Sequence, residues 1–174
     1  MYLTKKGIID SDRIKRLNII NSITGIKPGN LVGSINTAGN TNLAIISSVV
    51  HLSSNPALVG FIMRPHGEVK RDTYENIMES KAYTINHIPT SHIEKAHYTS
   101  AKFETEVSEF ERCGFTEEYI DGFIAPFAAE SHLKLGLSLV ETIPIPSSNT
   151  TMIVGQIEHL IVPDNAMEDT GYIN

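Results

Sequence analysis

Hydroxyl and cationic side chains concentrate between positions 47 and 73 of the chain. They are Ser47, Ser48, Ser53, Ser54, Arg64, Lys70, Arg71 and Thr73. Guanidinium groups, hydroxyls and the free backbone N–H groups at the start of a helix bind phosphate well. Asp72 is a good N-cap for a helix over residues 73–80, which would bring the Thr73 hydroxyl and those N–H groups toward one anion. The cluster predicts an anion site, although composition alone equally fits a serine-rich loop with a helix-capping Arg71–Asp72 ion pair.

The chain lacks the motifs of several common enzyme classes. It contains no Gly-x-Gly-x-x-Gly sequence, no phosphate-binding Gly-Lys-Ser/Thr loop, no His-Glu-x-x-His pair and no second cysteine beside Cys113. These absences argue against a Rossmann dehydrogenase, a nucleoside triphosphatase and a zinc enzyme. The seven histidines are scattered, so no metal site is predicted. His51 lies within the hydroxyl-rich span, where it fits a polar loop residue or a subunit contact better than a proton donor.

The bulk composition is that of an ordinary globular protein. The 174 residues are 41% hydrophobic and 20% charged, which predicts one domain over residues 1–174. The net charge of -6 argues against a nucleic-acid-binding surface. No apolar segment follows the N-terminus or reaches membrane-spanning length, and a single cysteine suits a reducing compartment. We therefore expect a cytoplasmic protein with no membrane or nucleic-acid partner.

Short strands and a few helices must position these groups. Strands are predicted over residues 31–36, 43–47, 57–63, 82–87, 133–139 and 151–162, the fifth from the alternation of leucines at 133, 135, 137 and 139. Helices are predicted over residues 10–23, capped by Asp10 or Ser11 and ending near Gly25, and over 73–80 and 91–97. Residues 53–56 are interpreted as a loop and 104–121 as an acidic, solvated excursion. The pattern predicts a mainly β fold, an antiparallel barrel with a few flanking helices.

Several short motifs follow one another in a specific order from residue 42 onward. They are Asn42-Leu43-Ala44-Ile45-Ile46-Ser47-Ser48, Ser54-Asn55-Pro56-Ala57-Leu58-Val59-Gly60-Phe61, Arg71-Asp72-Thr73 with Asn76-Ile77, Tyr83-Thr84-Ile85-Asn86, Thr99-Ser100-Ala101-Lys102-Phe103, Glu109-Phe110, Ala125-Pro126 and Glu130-Ser131. In order and spacing this set resembles the flavin reductase-like, FMN-binding split β-barrel family, across residues 16–162. The resemblance implies an antiparallel Greek-key split barrel that binds flavin mononucleotide (FMN). Similar chains often pair prolines where this one has Pro56-Ala57, and usually run on past the last strand.

The resemblance also implies which residues bind the cofactor. The loop after the second strand, made of Ile46, Ser47, Ser48 and Val49, would offer backbone groups to the isoalloxazine ring. Ser53, Ser54, Arg71 and Thr73 would approach the ribityl phosphate. Arg64, Asn86, Ser100, Ala101 and Lys102 would be further cofactor-binding residues. No side chain is implied as a catalytic acid, base or nucleophile.

The function implied by the resemblance is a flavin reductase-like oxidoreductase. Such a protein passes hydride from NAD(P)H to FMN and then reduces an acceptor, which the sequence does not identify. The alternative is a non-enzymatic FMN-binding electron carrier or flavin storage protein, and a third possibility is a barrel without flavin. FMN sites in such barrels lie at a subunit boundary, so a homodimer is expected, with the strand over residues 151–162 contributing.

Overall fold

The computed structural model describes residues 2–65, 71–101, 103–104 and 107–173 of the chain, so Lys70 and Lys102 lie outside the described residues. The helices are α1 Lys5–Ile9, α2 Arg13–Ser22, α3 Asp72–Ser80, α4 Ile93–Tyr98 and α5 Glu109–Cys113, with a 3₁₀ turn at Thr90–His92. The strands are β1 Asn30–Ile35, β2 Thr41–Ile46, β3 Val50–Ser54, β4 Ala57–Met63, β5 Ala82–His87, β6 Glu117–Glu118, β7 Phe127–Ala128, β8 Lys134–Ile145 and β9 Thr150–Ile161.

Seven strands form one antiparallel sheet in the order β2-β1-β5-β8-β9-β4-β3, and β6 pairs with β7 separately. The edge strands β2 and β3 are consecutive in the chain. Ile46 of β2 lies opposite Asn30 of β1, whereas Val50 of β3 lies opposite Gly60 of β4. Residues 47–49, which we call the switch segment, therefore carry the chain from one edge of the sheet to the other and bring the edges together as a barrel. The predicted mainly β architecture with a few helices is confirmed.

Alternate side chains of the strands fill the barrel. The interior cluster consists of Val32, Phe61, Met63, Ile77, Tyr83, Ile85, Leu137 and Ile153. Leu135 and Leu139 pack against it beside Leu137, so three of the four alternating leucines share one face as predicted, whereas Leu133 precedes β8 and is not part of this cluster. The Tyr83 hydroxyl of β5 reaches across β8 to Gly155 of β9, where a Cβ atom would lie 2.1 Å from it. A side chain larger than glycine does not fit at that position without movement of the ring.

A second cluster covers the outer face of β1 and β2. It contains Leu31, Leu43, Ala96, Phe110, Phe115 and Ala128. Phe110, on α5, is 1% exposed. The interpretation of residues 104–121 as a solvated excursion is therefore wrong for α5. A five-residue acidic helix is too short to show a periodic apolar pattern, although its one aromatic residue is buried.

Strand β3 occupies part of the span interpreted as a loop. Ser53 lies opposite Leu58 and Ser54 opposite Ala57, so only Asn55 and Pro56, joined by a cis peptide bond, form the turn. The loop interpretation is wrong for Ser53 and Ser54. β3 is an edge strand with mostly exposed side chains, and its only apolar residues, Val50 and Leu52, make an alternation too short to predict a strand.

The predicted helix over residues 10–23 corresponds to α2, Arg13–Ser22, and a further short helix that was not predicted, α1, precedes it at Lys5–Ile9. Asp12 caps α2 in place of Asp10 or Ser11, because its Oδ1 accepts hydrogen bonds from the N–H groups of Ile14 and Lys15 at 2.8 and 3.2 Å. The apolar residues of the predicted helical face, Ile14, Leu17 and Ile20, are 46–56% exposed. Neither helix contains a buried residue. In the part of the chain that is described, no helix is long and apolar enough to cross a membrane.

Candidate functional site

The switch segment is held in place by Ser48. The Ser48 Oγ accepts a hydrogen bond from the Ile62 N–H at 3.0 Å and donates one to the Ile62 carbonyl at 3.3 Å. Since Val50 of β3 lies opposite Gly60 of β4, the Ser48 side chain continues the β3–β4 pairing in place of backbone hydrogen bonds and ties the switch segment to β4. Ile46 and Val49 pack against the interior cluster, while Ser47 is exposed. The segment therefore presents its backbone at the surface in a defined conformation.

The free edge of β2 carries backbone donors at every second residue. The Leu43 N–H donates to a Glu109 carboxylate oxygen at 3.1 Å, and the Ile45 N–H donates to the Thr99 hydroxyl at 3.0 Å. Ser47 continues this alternation. Its N–H has no partner among the described residues. The switch segment therefore offers an exposed backbone donor.

Thr99 places the segment after α4 alongside this edge. Its hydroxyl also donates to the Ala96 carbonyl at 2.9 Å, which fixes the end of α4 against β2. Ser100 and Ala101 come next and are exposed. The structure therefore brings two of the predicted cofactor-binding residues to the same edge as Ser47.

Asn86 is fully buried and its side chain is occupied within the fold. Its Nδ2 donates to the Leu31 carbonyl at 3.1 Å and to the Thr84 hydroxyl at 2.9 Å, and its Oδ1 accepts from the Ala128 N–H at 3.0 Å. These bonds join β1, β5 and β7. A contact with a cofactor would have to share one of these groups, and it stays a prediction.

The start of α3 presents a second group of donors. The helix begins at Asp72, with Arg71 at the N-cap position, so Asp72 is not the cap. The N–H groups of Tyr74 and Glu75 donate to the Arg71 carbonyl, whereas those of Asp72 and Thr73 have no partner among the described residues. The Arg71 side chain is exposed. A helix start with free N–H groups and a nearby guanidinium suits an anion.

Thr73 is buried, and a hydrogen-bonded chain connects it to β2 and α5. The Thr73 Oγ1 lies 2.8 Å from the side-chain amide of Asn42. The Asn42 amide fits its surroundings best when its oxygen accepts from Thr73 and from the Leu43 N–H and its nitrogen donates to Glu109 at 3.3 Å. Burial raises the pKa of Glu109, and the charge of Asp72 adds to this, while the Leu43 N–H and its own N–H oppose it.

The two groups of donors lie at opposite ends of β2. Asn42, which contacts Thr73, precedes Ile46 by four residues, which corresponds to about 13 Å along a strand. Ser53, Ser54 and Arg64 are distributed differently. The two serines lie at the turn of the β3–β4 hairpin, whereas Arg64 follows the far end of β4. The structure therefore does not gather the whole hydroxyl-rich span into one site, and the cofactor contacts of these three residues stay predictions.

His51 lies on the exposed edge strand β3, opposite Val59, and its role stays open. Among the described residues, no group of three or more His, Cys, Asp or Glu side chains is placed to hold a metal ion. Burial raises the pKa of the partly buried Cys113 thiol, and the charge of Glu109 adds to that effect. A thiol with a raised pKa is a poor nucleophile.

Three polar residues at the site were not assigned a role from the sequence: Asn42, Thr99 and Glu109. Each belongs to one of the motifs that carry the family resemblance, and nothing else in the sequence pointed to a role for it. Their partners are distant in the chain, since Leu43 and Glu109 are 66 residues apart and Ile45 and Thr99 are 54 apart. Such pairs arise only once the fold is formed.

Comparison with known proteins places the chain among flavin proteins. The flavin reductase like domain model matches residues 27–174. A candidate flavin reductase with a split barrel domain from Shewanella frigidimarina NCIMB 400 is 44% identical, covers 100% of this chain and 86% of its own, and superposes with a TM-score of 0.95. Nitrilotriacetate monooxygenase component B from Bacillus cereus is 18% identical, and the match covers 99% of this chain and 86% of the other with a TM-score of 0.87. An FMN-binding protein from Thermus thermophilus is 16% identical, with 85% and 77% coverage and a TM-score of 0.71. The split-barrel fold predicted from the sequence is confirmed.

Proposed function

Because the chain belongs to the flavin reductase-like domain family, we propose that it binds FMN and passes hydride from NAD(P)H through the flavin to an acceptor. The arrangement along β2 carries this proposal. One end offers an exposed backbone donor at Ser47, and the other offers the start of α3. A ring with hydrogen-bonding edges that is joined by a ribityl chain to a phosphate matches two donor groups set apart in this way.

The ring end of the site is built from backbone groups. Ile46 and Val49 anchor the switch segment to the barrel interior, and Ser48 fastens it to β4. Because these contacts fix the segment before any ligand arrives, its N–H groups can bind the flavin with little loss of conformational entropy. Ser100 and Ala101 would border the ring from the end of α4.

The phosphate end combines Arg71, Thr73 and the first N–H groups of α3. The guanidinium of Arg71 is exposed and can turn toward a ligand, whereas Thr73 is 6% exposed and is held by Asn42. Asp72 and Glu109 add negative charge nearby, so the helix start and Arg71 must outweigh them. A charge-assisted pair between Arg71 and phosphate would do so.

The chain needs no acidic, basic or nucleophilic side chain for this function. Bound FMN supplies the redox chemistry, and the protein contributes position, hydrogen bonds and exclusion of water. The N–H groups of the switch segment would stabilise negative charge on the edge of the reduced ring that they contact. This division of labour explains why the donors at the site are mostly backbone groups.

We further propose that the protein acts as a homodimer. β3 is an edge strand whose apolar residues Val50 and Leu52 are 44% and 41% exposed. An exposed edge with apolar side chains is a surface that proteins usually cover. Since β3 directly follows the switch segment, a second copy placed there would also shield the flavin.

Anaerobic mixing of FMN-loaded protein with NADH and with NADPH tests the reductase proposal. Hydride transfer should bleach the visible absorbance of the bound flavin with at least one of the two nucleotides. If neither bleaches it while dithionite does, the protein is an electron carrier or a flavin store. If titration with FMN gives neither a spectral change nor fluorescence quenching, the flavin site itself is disproved.

A further inference from the structure

The chain of hydrogen bonds from Thr73 through Asn42 to Glu109 joins three elements at the proposed phosphate end. Asn42 is 7% exposed and Thr73 is 6% exposed. The carboxylate of Glu109 also accepts the Leu43 N–H at 3.1 Å. A buried amide, hydroxyl and carboxyl that contact one another can satisfy their donors and acceptors only in particular combinations.

The Asn42 amide can take two orientations. They differ in whether the Thr73 hydroxyl proton is free to be donated to a ligand. An ionised Glu109 can only accept, so the Asn42 nitrogen turns to it at 3.3 Å and the Asn42 oxygen accepts the Thr73 hydroxyl at 2.8 Å. The only proton of the hydroxyl is then used within the protein. Thr73 has none left to donate to an anion.

When Glu109 is protonated, the Asn42 amide takes the opposite orientation. Its carboxyl O–H can donate to the Asn42 oxygen, so the amide nitrogen faces Thr73 and donates to its Oγ1 at 2.8 Å. The Thr73 hydroxyl then accepts from Asn42 and keeps its own proton. That proton can be donated to a phosphate oxygen at the start of α3.

The surroundings of Glu109 allow it to change its protonation state. From α3, Asp72 faces it with like charge, and on α5 the thiol of Cys113 lies in its field. β2 contributes no titratable side chain. From α4, Lys95 donates to the carbonyl of Gly114 at the other end of α5. Burial and Asp72 raise the pKa of Glu109, so less acid is needed to protonate it than for an exposed glutamate.

We infer that Glu109 and Asn42 are positioning residues for the phosphate: the protonation state of Glu109 sets the orientation of the Asn42 amide, which decides whether the Thr73 hydroxyl donates to the ligand. This inference rests on the proposed FMN site. Neither residue touches the flavin, and both act through Thr73.

The inference predicts that FMN binding takes up a proton. The phosphate adds negative charge near Glu109 and favours the arrangement in which that residue is neutral. The pKa of the Glu109 carboxyl is therefore higher in the FMN complex than in the free protein. Affinity for FMN should therefore fall as the pH rises between two values, the pKa of Glu109 in the free protein and its higher pKa in the FMN complex. In that range the fall should reach up to about tenfold per pH unit. Ionisation of the phosphate near pH ~6 acts in the opposite sense, because the dianion pairs better with Arg71.

Fluorescence titration of FMN and of riboflavin from about pH 5 to about pH 8 tests this linkage. In Glu109→Gln the side-chain amide can donate to the Asn42 oxygen at every pH. This variant should bind FMN more tightly than the wild type at the alkaline end, by up to about tenfold, and lose the decline with pH. Glu111→Gln, an exposed residue of the same helix, should keep both the affinity and the decline of the wild type. Riboflavin, which has no phosphate, should show no decline with any of the proteins.

Thr73 variants provide an independent measurement if Glu109→Gln folds poorly. Thr73→Val should weaken FMN at the acid end and abolish the decline, and Thr73→Ser should restore both. A decline that persists unchanged in Glu109→Gln or in Thr73→Val would overturn the inference while leaving FMN binding intact. A wild type that binds no FMN at any pH is a different result, which refutes the proposed function and the inference with it.

Discussion

Arg71 and Thr73 are close in sequence, yet the fold gives them opposite surroundings. The arginine is exposed at the N-cap of α3 and has no capping bond, while the threonine is buried and bonded to Asn42. The sequence predicted that both face one anion because both stand at a helix start. Side-chain type and proximity to a helix were enough for that prediction, and the surroundings of each residue required the structure.

Removal of the Arg71 guanidinium should weaken FMN much more than riboflavin. A charge-assisted hydrogen bond contributes about 1.5–3 kcal/mol, so Arg71→Ala should raise the dissociation constant for FMN on the order of ten- to a hundredfold. Because the side chain is exposed, the fold should not change. Fluorescence titration with both ligands measures the difference.

Arg13→Ala removes the same charge from an exposed position on α2 and serves as the control. It should leave both affinities unchanged. Equal losses for FMN and riboflavin in Arg71→Ala would place the phosphate elsewhere in the molecule.

At the scale of elements, the prediction from the sequence succeeded where the apolar pattern was strong. The β1–β2 hairpin, β4, β5 and the leucine-rich part of β8 were predicted with nearly correct limits. β3 and α5 were missed because their apolar patterns are too short: β3 has two alternating apolar residues, Val50 and Leu52, and the one-turn acidic helix α5 has a single buried aromatic residue. Both flank the site, so the loop after β2 could be predicted from the sequence, but the elements that hold it in place could not.

Ser48 ties the switch segment, which carries the chain from β2 to β3, to Ile62 of β4, and its removal should destabilise the barrel. In Ser48→Ala the N–H and carbonyl of Ile62 both lose a partner in a half-buried setting, which costs about 1–3 kcal/mol. For a chain of this size the melting temperature should fall by roughly 2–10 °C. Differential scanning calorimetry measures the change.

Ser47→Ala is the matched control, since Ser47 is the exposed neighbour and its side chain has no hydrogen bond among the described residues. Its melting temperature should equal that of the wild type. A Ser48→Ala protein as stable as Ser47→Ala would show that the Ser48 hydroxyl does not close the barrel.

For the whole molecule, the N-terminal helices contrast with the barrel. The family match begins at residue 27, and no residue of α1 or α2 is buried. An isolated ten-residue helix is only marginally stable in water. The spacing of Ile14, Leu17 and Ile20 was enough to predict a helix. It could not predict what packs against that helix, because an apolar stripe does not specify which surface covers it.

Deletion of residues 1–26 should leave the barrel folded, because the deleted segment contributes no buried side chain to it. The melting temperature should change by no more than a few degrees, and sedimentation equilibrium should show the same oligomeric state, proposed to be a dimer, as for the full chain. A large loss of stability or dissociation into monomers would show that the exposed apolar face of α2 is covered in solution, contrary to this expectation.

Flavin binding at the switch segment, as proposed, would link the lifetime of the protein to the supply of flavin. Where the chain passes from β2 to β3, one serine hydroxyl supplies to β4 the bonds that backbone pairing provides elsewhere, so transient opening should begin there. A ligand that occupies the free donors stabilises the closed form by mass action. Copies without flavin would open more often and be degraded sooner, so the cellular amount of the protein would follow the amount of flavin available to it.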